Sequence, residues 1–232
     1  MTDSLVTIAR IRTEFPEKFG IPRQSGLVNT RGVVVFEPPF RRPEALRGLD
    51  GFSHIWLLWR FSAAQRADWS PTVRPPRLGG NTRMGVFATR SPFRPNAIGL
   101  SCVRLIAIAH DPAEGDVLVV EGADLMDGTP IVDIKPYLPF TDCRPEATGG
   151  FAEPVRERSL RVVIPEQWRA VLPAPLGDTL TQVLAQDPRP SYQEDAARVY
   201  GMSFAGFAVH FTVADGVLTV CAIEREARQA GD

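Results

Sequence analysis

A chain of 232 residues, 44% hydrophobic and 23% charged, with a formal net charge of −1, has the composition of an ordinary soluble globular protein of one large domain or two unequal ones. No run of about 18 apolar residues is present, which excludes a membrane-spanning helix. The opening "MTDSLVTIARIR" lacks the charged and apolar regions of a secretion signal. Cys102, Cys143 and Cys221 are far apart and odd in number, which argues against a disulfide framework and fits a reducing cytoplasm. His54, His110 and His210 are isolated and no Cys-x-x-Cys occurs, so no metal site is expected.

In chain order, "LVTIARIR" (Leu5 to Arg12) alternates as a strand. The Pro- and Gly-rich "EFPEKFGIPRQSGLV" reads as a long loop. "GVVVF" (Gly32 to Phe36) is a buried strand, "RRPEALRGLDGF" one or two helical turns, and "FSHIWLLWRF" (Phe52 to Phe61) a β-branched and aromatic strand. After the irregular "SPTVRPPRLGGNT", strands at "MGVFAT" and "IGLSCVRLIAIA" flank "RSPFRPNA". "DVLVVEGADL" and "IVDIKPYL" are two more, joined through the Asp-Gly turn signal of "MDGT". Many strands, few helices and frequent turns predict a mainly β fold: a single-sheeted antiparallel β-barrel over residues 1–145. Residues 146–159 form a linker, and residues 160–232 a small α+β domain with a helix near Asp178 to Ala185 and a hairpin turning at Asp215-Gly216.

The near-neutral charge hides an asymmetry. From Trp69 to His110 there is no Asp or Glu, while Arg74, Arg77, Arg83, Arg90, Arg94 and Arg104 all lie there, a local excess of +6. Such a band calls for an anionic partner. Within it, Pro92 and Pro95 stiffen "RSPFRPNAIGLS", and Gly99 allows close backbone approach. Asp133, Lys135 and Tyr137 alternate along one strand and so share a face. With Asp124 and Asp127 they crowd what reads as one short hairpin, able to serve as a polar site or as an ion-paired surface. The G-x-G-x-x-G, G-x-x-x-x-G-K-[ST] and G-x-S-x-G motifs are absent.

"PRQSGLV", "GFSHIWLL", "WSPTVRPPRLGGNTRMGVFATRSPFRPNAIGLS", "DLMDGTPIVDIKPYLPF" and "LAQDPRPSY" together resemble the TrmO (TsaA-like) family, whose members are S-adenosylmethionine-dependent tRNA methyltransferases. The resemblance covers nearly the whole chain. It implies a cytoplasmic homodimer, without metal, that methylates N6 of threonylcarbamoyladenosine at position 37 of the tRNA anticodon loop. It also implies cofactor contacts at Gln24, Ser25 and Gly26, at Ser62 and Ala63, at Arg90 and Leu100, and at Asp124, Leu125, Met126 and Asp127. Ser25 stands where the family usually has proline, and Ser62 and Ala63 are smaller than the residues usual there.

On this reading Asp133 or Tyr137 serves the N6 proton, and Lys135 or Arg90 steadies developing charge or anchors the substrate carboxylate. Arg74, Arg77, Arg83 and Arg94 neutralise loop phosphates, while Arg189 and Tyr192 read loop bases. Two alternatives differ in class: a non-catalytic RNA-binding barrel, and an S-adenosylmethionine-dependent methyltransferase of a small metabolite.

Overall fold

The structure is a computed structural model describing residues 5–63, 69–75, 82–155, 159–189 and 195–226. Its strands are β1 (Ala9–Thr13), β2 (Arg31–Phe36), β3 (His54–Arg60), β4 (Thr72–Val73), β5 (Met84–Gly85), β6 (Ile98–Asp111), β7 (Gly115–Glu121), β8 (Pro130–Pro136), β9 (Arg161–Val163), β10 (Tyr200–Phe204), β11 (Phe207–Ala214) and β12 (Val217–Arg225). Six of them form the central sheet, in the order β1-β2-β7-β6-β3-β8. Every neighbouring pair is antiparallel.

Alternation sorts their side chains. Along β3, Ile55, Leu57 and Trp59 are buried and His54, Trp56, Leu58 and Arg60 are half-buried. With Ile11, Val34, Leu118, Val120 and Ile131 the buried set makes one core. Burying side chains of this size contributes about 1.5–3 kcal/mol each, which holds the register: a slip by one residue would turn the whole set outward.

The structure corrects the expectation of a single-sheeted antiparallel barrel. The N-terminal region is not single-sheeted, because β4 and β5 form a ribbon of their own. "MGVFAT" is accordingly not one long strand: β5 ends at Gly85 and a 3-10 turn over Val86–Ala88 follows. Nor is the ring laced evenly. β1 pairs with β2 from Ala9 to Thr13, but meets β8 only at Ala9–Ile131 and Arg10–Pro130. Beyond Arg10 a turn takes over from the strand. Ile11 N–H donates to Thr129 O (3.2 Å), Gly128 N–H to Ile11 O (2.8 Å) and Thr13 N–H to Asp127 Oδ1 (2.9 Å). What the structure supports is a mainly β fold with a central sheet and an α+β C-terminal unit. A second correction concerns the expected β7–β8 hairpin. β7 lies between β2 and β6, and β8 between β3 and β1, so the two are not neighbours.

The C-terminal sheet runs β10-β11-β12-β9, with β9 parallel to β12. Among the described residues there are also three α-helices, α1 (Pro139–Asp142), α2 (Glu166–Arg169) and α3 (Ala174–Ala185), and short 3-10 turns. Leu180, Val183 and Leu184 of α3 bury against Phe204, Phe211 and Leu218. Pro175 sits in the first turn of α3, where its missing N–H costs no hydrogen bond.

The segment after β1 belongs to this second core. Phe15 is fully buried there, edge-on to Phe204 with ring centroids 5.7 Å apart, and Val28 is buried with it. Backbone and side-chain bonds fasten the same segment: Ala205 N–H to Glu14 O (2.7 Å), Ser203 N–H to Glu17 Oε1 (3.0 Å) and Asn29 N–H to Gln182 Oε1 (3.1 Å). The loop between Glu14 and Asn29 is therefore held at both ends by the C-terminal unit while its middle reaches the central sheet.

Phe15→Ala is expected to lower stability by about 3–5 kcal/mol, the usual cost of emptying a buried aromatic site, in urea-denaturation curves. A loss under about 1 kcal/mol would show that the segment is not part of this core.

Candidate active site at the free edge of β6

β6 is longer than the strand beside it. β7 pairs with it from Asp111 to Arg104, opposite Gly115 to Glu121, and then departs. β3 follows β6 on its other side as far as Ile98. From Ile98 to Val103 one edge of β6 thus has no strand partner. Backbone groups left so must find another partner. The loop carrying Ser25 supplies one: Cys102 N–H donates to Ser25 Oγ (3.1 Å). Backbone groups alternate sides along an antiparallel strand, so Leu100, two residues away, turns its N–H and C=O to the same free edge.

Two loops are stitched together along this edge. Gly122 takes φ +87°, which turns the chain out of β7. Gly26 N–H donates to Gly122 O (2.9 Å), and Gly122 N–H donates to Thr30 O (2.8 Å). A Cβ on Gly122 would sit 3.2 Å from the Gly26 backbone. This is an approach only glycine permits at that φ. The turn delivers Asp124 behind the edge. Ser101 Oγ donates to Asp124 Oδ1 (2.5 Å) and accepts from Trp59 Nε1 (2.9 Å). The Trp59 indole lies across Gly99, where any Cβ would fall 2.3 Å from the ring.

Burial pushes the Asp124 carboxyl above its ordinary range. The Ser101 hydroxyl, its own amide, the Arg90 guanidinium and the Ser25 amide all pull the other way. Arg90 in turn donates through Nη1 to Gln24 Oε1. Gln24, Ser25, Gly26, Arg90 and Asp124 are thereby brought into one connected group.

A cavity of about 240 Å³ opens beside Asp124, with Ser62, Ala63 and Met126 on its wall. It is smaller than the roughly 300–1,000 Å³ usual for a ligand pocket. Pro92, expected to stiffen its loop, lines it too, as do Lys18, Trp59 and Arg60, which were not expected at the site. Lys18 reaches it by donating to Ala63 O. Its one available signal was that the chain has only two lysines, Lys18 and Lys135.

Other expected residues sit elsewhere. Leu125 is buried in the central core. Asp127 is exposed and braces Thr13 N–H rather than facing the cavity. Leu100 is 47% exposed on the outer side of the sheet. Across β3 it is in register with Leu58, and Leu58 with Asp133. Trp56 stands opposite Lys135. Asp133, Lys135 and Tyr137 therefore share the outer face with Leu100, whereas Ser101, Trp59 and Asp124 lie behind it. Two strand spacings, about 10 Å, separate the Leu100 and Asp133 backbones. Lys135 Nζ is paired with Asp133 Oδ2 at 2.9 Å. Tyr137 packs beside Trp56 and His54, with centroids 5.8 and 6.2 Å apart. Partial desolvation, then the Cys143 thiol, raises its phenol above the ordinary value, so at neutral pH it is a hydrogen-bond donor.

The arginines divide. Among the described residues no carboxylate lies within ion-pair distance of Arg74, Arg83, Arg90 or Arg94. Arg94 folds back on its own loop, donating to Thr89 O (3.1 Å) and Ser91 O (3.4 Å). Arg104 pairs with Glu121 (3.4 Å). Arg189, expected to read bases, is only 13% exposed and is committed to Asp187 through two bonds of 2.8 and 3.0 Å. Arg77 and Tyr192 lie outside the described residues. No group of three or more potential metal ligands occurs among the described residues.

The Asp124 burial predicts a signed effect. Because its folded-state carboxyl holds its proton above the ordinary value of 3.8, the associated stability is present in acid and is lost as pH rises through that raised value. Asp124→Asn is expected to be more stable than wild type at neutral pH, with the difference closing in acid, in urea melts across pH. A variant less stable at neutral pH would refute this.

The same chain can be set against known proteins. Residues 10–143 match the family model described as the tRNA-methyltransferase O N-terminal domain, and residues 158–226 match the TrmO C-terminal domain. A tRNA (adenine(37)-N6)-methyltransferase of Escherichia coli is 42% identical over 226 residues, covering 94% of this chain and 96% of its own. A Pseudomonas aeruginosa relative, provisionally named an S-adenosylmethionine-dependent methyltransferase, is 44% identical over 220 residues, covering 91% and 93%. A crystal structure of TrmO from Pseudomonas aeruginosa superposes with a TM-score of 0.79 at 36% identity, covering 97% of this chain and all of that one. By sequence over both halves and by fold over nearly its full length, the chain belongs to the tRNA-methyltransferase O (TrmO) family.

Proposed function

We propose that the protein methylates N6 of threonylcarbamoyladenosine at position 37 of tRNA, beside the anticodon, with S-adenosylmethionine as donor. Family membership makes it a tRNA (adenine-N6)-methyltransferase. The observation that carries the assignment to this site is the half-buried Asp124, held by Ser101 and flanked by Arg90 and Gln24 at the free edge of β6.

The site's own chemistry fits such a donor. An adenine ring offers one donor and one acceptor on its edge, which the outward N–H and C=O of Leu100 match. A carboxylate behind the edge suits a neighbouring cation, and Arg60 Nε is buried at the cavity without an acceptor among the described residues. Gln24, Ser25, Gly26, Ser62, Ala63, Arg90, Leu100 and Asp124 to Asp127 would hold the donor. Of these, Leu125 acts only through its backbone, and Asp127 by bracing the turn. When bound, the donor supplies an electrophilic methyl on sulfur. The rest is proximity and alignment, which the two loops stitched at Gly26 and Gly122 impose on β6.

Asp133 is the acceptor for the N6 proton in this reading. Lys135, which already neutralises Asp133, anchors the threonyl carboxylate, and Tyr137 donates a hydrogen bond. Their shared face with Leu100 supports these roles. The exposed apolar residues Ile98, Leu100 and Ile106 along β6 support a homodimer formed on that face. The C-terminal unit orients the loop of Gln24 to Gly26 and steadies the tRNA, and the enzyme works in the cytoplasm with its cysteines free.

In single-turnover assays with threonylcarbamoyladenosine-containing tRNA and methyl-labelled donor, Asp133→Asn is expected to slow transfer roughly 10²-fold, with smaller losses for Lys135→Ala and Tyr137→Phe. Wild-type rates in all three would remove these residues from the mechanism. In salt titrations of tRNA binding, Arg74→Ala and Arg83→Ala are each expected to reduce the slope of log K against log salt by roughly 0.7, the share of one single-stranded phosphate. An unchanged slope would remove that contact.

A further inference from the structure

The ribbon β4–β5 carries a feature the catalytic reading does not use. Trp69 and Phe87 stack on one another in the open, with ring centroids 6.2 Å apart and planes 24° from parallel. Trp69 is 50% exposed and Phe87 74%. Scattered exposed hydrophobics are normal on a protein surface, but a stacked aromatic pair held on a braced frame is a different matter.

The frame is explicit. Thr72 pairs with Gly85 and Val73 with Met84. Val86 N–H extends the ladder by donating to Pro71 O (2.9 Å), and the Val86 side chain is buried, which fixes the turn from which Phe87 projects. Thr89 N–H and Oγ1 both return to Val86 O, at 3.1 and 2.9 Å. On the other strand Ser70 Oγ donates to Thr72 O (2.6 Å). The rings are thus presented without burying their outer faces.

From Trp69 onward the segment that carries them holds arginines and no acid. Arg74 directly follows β4 and Arg83 directly precedes β5, Arg83 Nη1 donating to Thr72 Oγ1 (3.4 Å), and no acidic residue occurs between Trp69 and His110. Aromatic faces set among arginines bind unpaired nucleotides: the rings stack on bases and the guanidinium groups track phosphates. The position also fits. Phe87 is three residues before Arg90, at most about 11 Å of chain, and Arg90 borders the site through Gln24.

We propose that Trp69 and Phe87 form a stacking platform for an unpaired base of the substrate RNA loop, a neighbour of the base that enters the site. The proposal rests on the tRNA methyltransferase reading above.

The test uses the full-length protein and an anticodon stem-loop RNA with 2-aminopurine at a loop position next to residue 37. Wild type is expected to bind this RNA and to change the 2-aminopurine fluorescence. Trp69→Ala and Phe87→Ala are each expected to weaken binding on the order of tenfold and to abolish the fluorescence change. Donor binding in equilibrium dialysis should stay at the wild-type level. Trp69→Phe, which still stacks, should retain most of the affinity, and Trp69→Leu, apolar but unable to stack, should behave as Ala. Wild-type binding by the Ala variants, or equal rescue by Leu and Phe, would overturn the platform alone. So would a change in oligomeric mass on light scattering, which would make the patch a protein contact. Failure of wild type itself to bind the stem-loop would overturn the RNA reading and the platform with it.

Discussion

A strand that outruns its neighbour leaves backbone hydrogen-bonding groups without a ladder, and the site is built on that deficit. β7 leaves β6 at Glu121 because Gly122 turns the chain away. The exposed edge from Ile98 to Val103 then receives the Ser25 hydroxyl. Had β7 continued, the edge would be ladder, Asp124 would be a strand residue, and the loop of Gln24 to Gly26 would have nothing to bind. The deficit is kept from closing by two anchors. One is the Trp59–Ser101–Asp124 chain behind the strand. The other is the burial of Phe15 and Val28 in the C-terminal core, which holds the Gln24–Gly26 loop at a set height above β6. The C-terminal unit thus shapes a site to which it lends few residues of its own.

Electrostatics divides the molecule in a related way. Where acids and arginines occur together, they consume one another: Arg104 with Glu121 and Arg189 with Asp187. An exposed pair such as Arg104–Glu121 contributes little to stability, about 0–1 kcal/mol, but each pair removes an arginine from the set available to a ligand. Between Trp69 and His110 there is no acid to do so. Arg74, Arg83 and Arg90 go without an acid partner among the described residues for that reason, Arg90 beside the site, and Arg94 spends its donors on two carbonyls of its own loop. Asp124 is the counterpart: a half-buried acid whose charge is costly in isolation and is supported by Ser101 and Arg90.

Much of the architecture was legible in local patterns. Alternation marked β3, where Ile55, Leu57 and Trp59 turn inward. Proline and glycine marked the loop after β1, and Asp215-Gly216 marked the β11–β12 turn. The family motifs named Gln24, Ser25, Arg90 and Asp124, which the structure groups. Other features were not legible. Lys18 and Trp59 join the cavity from positions just outside the family motifs, one through a backbone carbonyl of Ala63 and the other by lying over Gly99. The Asp-Gly of "MDGT" suggested a hairpin, yet that turn serves β1 instead, through Thr13 and Ile11.

By itself the sequence determined most of the strand-forming segments, the acid-free arginine stretch and the family, because each is a property of residue types at short spacing. Only the tertiary structure decided which of those segments are neighbours. The order β1-β2-β7-β6-β3-β8 separates β7 from β8 and sets Asp124 behind the sheet face that bears Asp133, Lys135 and Tyr137. The physical reason is that strand partners are selected by the burial of a whole sheet face and the satisfaction of every edge. Those sums run over residues distant in sequence, and no local pattern contains them.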